Sequence, residues 1–209
     1  ALCSLGGGSM WLAVWLAGQV IVGPRSMNPS VDLVEVKALY NDDEVAFLLA
    51  WEDRFKNDRG PAEKPMGEAW HPKDSYVPVR TMQERARDAT LPDQLAIHFP
   101  AGATVPGRAE KPYLFMGDPG HRLNSWLWRA DTDGAVEANA TGAAKGYLPQ
   151  EADAQTAQVW ARFENGRWTL LMRRALTTAD SKRDVQFRAG ALIPFTLRVW
   201  DGAAGEWDL

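Results

Sequence analysis

Polar and apolar positions alternate along this chain in short runs. From 32 to 40 the sequence D-L-V-E-V-K-A-L-Y sets Val34, Val36 and Ala38 to one side and Leu33, Glu35 and Lys37 to the other. That period of two marks a half-buried strand. Asn41, Asp42, Asp43 and Glu44 form a turn signal, and 45–51 is a second, more apolar run. The pair predicts a β-hairpin. The same reading places strands at 93–99, ended by Pro100, and at 157–164, where Val159, Ala161 and Phe163 recur at every second position. Asn165-Gly166 is a strong hairpin turn signal, with 168–174 as the return strand. Runs at 185–187 and 193–200 follow. Only 81–87 offers a short helical possibility, and no long stretch keeps a 3.6-residue period. Roughly eight or nine strands with turn residues between them predict an all-β fold, an antiparallel β-sandwich with little helix.

One further hairpin is predicted within 111–130, K-P-Y-L-F-M-G-D-P-G-H-R-L-N-S-W-L-W-R-A. An apolar run, 113–116, meets a Gly-Asp-Pro-Gly turn, and a second run alternates through Leu123, Ser125, Trp126, Leu127 and Trp128. A methionine just before a rigid turn has a defined position, and its thioether is a soft ligand for iron or copper. Most such methionines only fill a core.

Between the strands lie two long excursions. Residues 53–89 are polar and rich in proline and charge, and 135–154 are rich in alanine and glycine. Both read as exposed segments, a length uncommon in a compact domain unless it carries function or a contact. Residues 1–9 are glycine-rich and read as a flexible N-terminal segment, leaving 10–209 as a single domain.

Composition narrows the function classes. The 209 residues are 45% hydrophobic and 24% charged with a net charge of -4, which suits a folded core and argues against a nucleic-acid surface. The apolar run 10–22 is too short to span a bilayer and is broken by Gly18 and Gln19. With no initiating Met and no charged stretch before that run, the chain reads as a processed or trimmed product. Cys3 is the single cysteine, so there is no internal disulfide, no cysteine cluster and no C-x-x-C-H for covalent haem. His71, His98 and His121 are scattered; His98 lies opposite Leu95, Ile97 and Phe99 on its strand and reads as structural. Asp42, Asp43 and Glu44 sit in a turn, and Asp53 and Asp58 read as surface acids. No nucleophile–base pair, P-loop or dinucleotide fingerprint occurs. Ten tryptophans are many for this length. They suit a sandwich core, a flat cofactor or a sugar-binding face.

Several segments together resemble the haem-binding γ subunits of ethylbenzene dehydrogenase and its relatives, among them those of dimethylsulfide dehydrogenase, chlorate reductase and selenate reductase. They are Pro24-Arg25, the run from Ser30-Val31 through V-E-V-K-A-L-Y-N-D-D-E-V-A-F-L-L-A-W-E-D, H-F-P at 98–100, F-M-G-D at 115–118, W-L-W-R-A at 126–130 and V-W-D-G at 199–202. The resemblance implies a β-sandwich holding one non-covalent b-type haem (heme b) with axial Met and Lys ligands. It implies electron transfer, not catalysis, between a molybdenum-containing catalytic subunit with its iron–sulfur subunit and a periplasmic carrier such as a c-type cytochrome, and hence a periplasmic location. The Met maps onto Met116. The Lys falls beyond V-W-D-G, and no Lys follows Lys182. Trp126 and Trp128 are candidates for the haem pocket, and Lys111, Arg122 and Arg129 for its propionates. The competing readings are a carbohydrate-binding sandwich with a tryptophan-lined face and a haem-free interaction subunit docking through the excursions.

Overall fold

The computed structural model describes residues 2–6, 9–13, 30–58, 91–103, 116–132, 134–142, 145–204 and 206. Its elements are β1 (Leu2–Gly6), β2 (Ser9–Ala13), β3 (Val34–Tyr40), β4 (Glu44–Glu52), β5 (Gln94–Pro100), β6 (Gly102–Ala103), β7 (Leu123–Arg129), β8 (Ala135–Ala140), β9 (Tyr147–Pro149), β10 (Gln158–Glu164), β11 (Arg167–Ala175), β12 (Val185–Gln186) and β13 (Thr196–Trp200). A single 3-10 turn, Ala152–Ala154, is the only helical element among the described residues. Strands β1 and β2 form a separate antiparallel hairpin.

Two antiparallel sheets carry the fold. One has the order β10-β11-β4-β3 and the other β13-β5-β7-β8-β9. The predicted β3–β4 hairpin forms with Val36 opposite Leu49. Its turn is held by Asn41, whose Oδ1 accepts the N–H groups of Asp43 and Glu44 at 2.8 and 2.7 Å. At the β10–β11 turn Asn165 and Gly166 both have positive φ, 51° and 72°. That is the conformation a two-residue primed turn requires and the reason Asn-Gly is favoured there. A short parallel pairing of β12 with β6 ties the late chain to the end of β5.

Alternation decides which side chains meet between the sheets. Phe47, Leu49 and Trp51 of β4 and Trp168, Leu170 and Met172 of β11 face Leu95, Ile97 and Phe99 of β5, Trp126 and Trp128 of β7, and Leu197 and Val199 of β13. The aromatic rings meet edge to face: Phe47 with Trp126 at 5.9 Å, Trp51 with Trp128 at 6.1 Å and Trp128 with Trp168 at 4.9 Å. Each such pair adds about 0.5–1.5 kcal/mol beyond the area it buries. Across the same space Arg174 of β11 pairs with Glu137 of β8 at 3.0 Å, both side chains fully buried.

Two sequence expectations change. Residues 135–154 are not an exposed excursion: β8 and β9 complete the five-stranded sheet, and Glu137, Ala138, Asn139, Ala140 and Tyr147 are buried. Val136, Ala138 and Ala140 do alternate with Glu137 and Asn139 along β8, but the polar face is buried and its side chains are hydrogen-bonded, so the pattern reads as exposed in sequence. The hairpin predicted within 111–130 changes too: its first run lies outside the described residues apart from Met116, and its second run, β7, pairs with other strands. Both edges of β7 are occupied, by β5 and β8, and the turn closes only through the Asp118–His121 bridge. The excursion 59–89, with its helical possibility at 81–87, lies outside the described residues.

Candidate functional site

The face of the five-stranded sheet turned away from the other sheet is built of different material. Ala96, Leu123, Leu127, Ala138, Ala140 and Trp200 lie on it, and Met116 and Tyr147 pack against them. Met116 is only 5% exposed. Its carbonyl accepts the Gly142 N–H at 2.8 Å, which fixes the chain as it enters the turn. Gly117 follows at φ +68°, where a Cβ would lie 2.6 Å from the His121 carbonyl oxygen and 2.8 Å from that of Ala140. No other residue fits there without moving the backbone. Asp118 Oδ1 accepts the N–H groups of Gly120 and His121 at 2.7 and 2.9 Å, and its carboxylate meets His121 Nδ1 at 2.9 Å. The hydrogen bond from His121 holds the Asp118 carboxyl below its usual range. These groups are exposed, so they shape the turn more than they stabilise the fold.

A buried polar chain starts at the Met116 sulfur. Arg198 Nη1 lies 3.7 Å from Met116 Sδ and donates to the Tyr147 hydroxyl at 3.3 Å. Tyr147 Oη meets His98 Nε2 at 3.1 Å, and His98 Nδ1 meets Ser125 Oγ at 2.8 Å. The rings of His98 and Tyr147 stack at 5.6 Å, and the Arg198 guanidinium lies 4.8 Å over Trp200. Burial, reinforced by the Arg198 charge, pushes the His98 pKa well down. His98 is therefore neutral, and both its nitrogens are engaged, which leaves it no lone pair for a metal.

The sequence candidates separate around this face. Met116 lies on it. Arg129 occupies the same side of β7 as Leu123 and Leu127, and its guanidinium grips Asp131 through Nε at 2.9 Å and Nη2 at 2.5 Å. Trp126 and Trp128 project the opposite way, into the aromatic space between the sheets. Arg122 is exposed beside the turn, and Lys111 lies outside the described residues. Reasoning from sequence did not find Tyr147 or Arg198, and it took His98 for a structural residue. The available signal was weak: a histidine on an otherwise apolar strand, and an arginine inside the apolar run F-T-L-R-V-W.

The set at Met116 suits a flat, largely apolar group carrying a soft metal and acidic substituents. A buried thioether supplies the soft donor, and the small side chains of Ala96, Ser125, Ala138 and Ala140 keep the sheet surface low. A buried guanidinium supplies positive charge. Among tryptophans whose side chains are described, Trp51, Trp126, Trp128, Trp168 and Trp200 are buried and only Trp160 is half exposed. That distribution gives little support to a sugar-stacking face.

A second polar cluster sits where three strands end. Asp53, just after β4, and Asp93, just before β5, are buried, and Asp201 follows β13. Asp53 is thus not the surface acid its sequence context suggests. Burial, with the neighbouring Asp53 charge, raises the Asp93 pKa to about 7. Burial raises that of Asp53 to about 6, with Asp201 and Glu206 adding to the effect.

A family profile described as Ethylbenzene dehydrogenase matches residues 8–157. A protein of Haloferax mediterranei described as a putative respiratory nitrate reductase heme subunit, ORF7, is 23% identical over 188 residues, 88% of this chain and 54% of the relative. The chain therefore spans about half the length of the curated relative it matches.

Proposed function

This chain belongs to the ethylbenzene dehydrogenase family, and from that premise we propose that it is a haem-binding electron-transfer subunit, or part of one, in a respiratory oxidoreductase complex. The printed name of its Haloferax relative supports the haem reading. The observation that carries it is Met116: a buried thioether, anchored by the Gly142 hydrogen bond and the Gly117 turn, on a face where small side chains and a buried arginine meet.

In this reading the haem is b-type and non-covalent, since the chain has no C-x-x-C-H. It supplies a one-electron centre when bound. Met116 would supply one ligand to its iron; a thioether favours the ferrous state and raises the reduction potential. Arg198 orients the Met116 side chain through its contact with the sulfur, and Tyr147 and His98 hold Arg198 in place. Buried in this way, the set keeps water from the sulfur. The role is electron relay, with catalysis in partner subunits. A molybdenum-containing subunit with its iron–sulfur partner on one side, and a c-type cytochrome on the other, fit the family, as does the periplasm.

The test is the absorption spectrum of the purified protein. A Soret band with sharp α and β bands on reduction, and a lower midpoint potential in Met116→Leu, are the expected results. Haem bound with the same spectrum and potential in Met116→Leu makes Met116 a packing residue and overturns its role as ligand. Absence of haem from the native protein overturns the whole reading.

A further inference from the structure

The three carboxylates at the strand ends stand apart from Met116 and its polar chain, and the proposed electron transfer makes no use of them. We propose that Asp53, Asp93 and Asp201 form a binding site for a divalent cation of the calcium class, joining the two sheets at one end of the sandwich.

The geometry is the first support. Asp53 leaves β4 in one sheet, while Asp93 enters β5 and Asp201 leaves β13 in the other. One carboxylate oxygen from each lies within 4.8 Å of the other two. Oxygens sharing a calcium ion at 2.3–2.6 Å can be at most about 5 Å apart, so the spacing is that of a common ligand set. Each acid is held in place from behind. Asp93 Oδ1 accepts the Gly202 N–H at 3.0 Å, and its Oδ2 accepts the Asn57 N–H and the Trp168 indole N–H, both at 2.9 Å. Asp201 Oδ1 accepts the N–H groups of Ala203 and Ala204 at 2.8 and 3.2 Å. Gly202 lies so close to Leu91 that a Cβ would fall 1.9 Å from the Leu91 carbonyl oxygen, so the Asp201–Gly202 step admits only glycine.

Unused acceptors are the second, independent support. Asp53 is 7% exposed; its Oδ1 accepts the Phe55 N–H at 3.0 Å, but its Oδ2 accepts no hydrogen bond. The Trp51 indole N–H interacts with this carboxyl without closing a hydrogen bond to it. The side-chain oxygen of Asn57, whose backbone brackets Asp93 on both sides, is likewise buried without a donor. A buried acceptor left unmade costs about 1–3 kcal/mol, more when it is charged. No lysine or arginine forms an ion pair with Asp53, Asp93 or Asp201 among the described residues, and Glu206, bonded to the Asp201 backbone, adds a fourth acid nearby. Buried acids aimed at one point call for a cation there.

The donor set selects the ion. Every available atom is an oxygen, with no sulfur or imidazole, which favours hard cations over zinc or copper. Ligands gathered from three strand ends match the irregular oxygen shell that calcium accepts better than the strict octahedron magnesium demands.

Calorimetric titration of the purified protein with CaCl2, and thermal melts in CaCl2 and in EDTA, test the site. The expected results are saturable binding at or below the millimolar range usual for extracellular calcium modules and a higher melting temperature in CaCl2 than in EDTA. Asp201→Asn, the least buried of the three substitutions, is expected to weaken binding at least about tenfold and to abolish the calcium-dependent shift. Asp53→Asn serves as a second variant, and circular dichroism confirms that each is folded. No heat and no melting shift with CaCl2 up to about 10 mM overturns the proposal. So does unchanged calcium binding in folded Asp201→Asn and Asp53→Asn, which puts the ion elsewhere. Neither readout depends on haem, so failure here leaves the reading of Met116 intact.

Discussion

On β7 the side chains of Trp126 and Trp128 enter the space between the sheets, while those of Ser125, Leu127 and Arg129 point the other way. All five are buried. The space between the sheets is filled by rings in edge-to-face contact, each fitting several others. The outer face is lined by alanine and serine and crossed by a hydrogen-bonded line from Ser125 to the Met116 sulfur. Equal dryness therefore serves two purposes. Large apolar rings on one side supply the burial that stabilises the sandwich. On the other side the side chains are small, and the polar groups along the line from Ser125 to Arg198 are hydrogen-bonded to one another. One strand serves both because successive side chains point to opposite faces.

Substitutions can break this contrast in order of size. Trp126→Ala removes a ring that touches Phe47, Phe99 and Phe187 and lies under the Arg174 guanidinium at 5.0 Å. It should cost about 3–5 kcal/mol in denaturant unfolding. Tyr147→Phe keeps the ring stacked on His98 but leaves His98 Nε2 without its hydroxyl partner. The expected cost is about 1–3 kcal/mol by the same measurement. Met116→Leu, nearly equal in volume, should cost under about 1.5 kcal/mol while changing the haem spectrum and potential. A large loss of stability with no spectral change would erase the distinction between the two faces. Smallest is the effect of pH through His98. Its folded pKa lies below the ordinary value of about 6.5, so on acidification the unfolded chain takes up a proton that the folded one refuses. Through His98 alone, stability falls by a fraction of a kcal/mol as pH drops toward the ordinary histidine range, against the opposite slope of the raised Asp53 and Asp93. His98→Gln should remove that part of the slope in melts taken across this range.

Local signals in the sequence revealed the hairpins and the all-β class. Alternation at 32–40 and the Asn165-Gly166 turn depend only on neighbouring residues, and both hold in the structure. The strands at 135–140 and 147–149 escaped because they are short and their apolar positions are mostly alanine, and because Glu137 looks like a surface acid until Arg174 is brought across from the other sheet. Asp53 was misplaced for the same reason: its burial comes from contacts with the ends of strands far away in sequence. Met116 could be singled out because its turn chemistry is local. Arg198 and Tyr147, 51 residues apart and joined by a hydrogen bond, could not.

The ion pair between Arg174 and Glu137 has a kinetic consequence. Glu137 Oε1 accepts the Thr156 N–H, the Thr156 hydroxyl and the Ala157 N–H, and Arg174 also donates to Asn124 Oδ1 and the Val185 carbonyl. These two charges belong to different sheets and cannot meet until the sheets dock. Desolvating either one earlier would be unfavourable, so the pair should form after the folding barrier is crossed. Arg174→Met would then leave the refolding rate almost unchanged and accelerate unfolding, visible in stopped-flow kinetics as a shift of the unfolding limb alone. The pair acts as a latch: it sets how long the folded molecule lasts more than how quickly it forms.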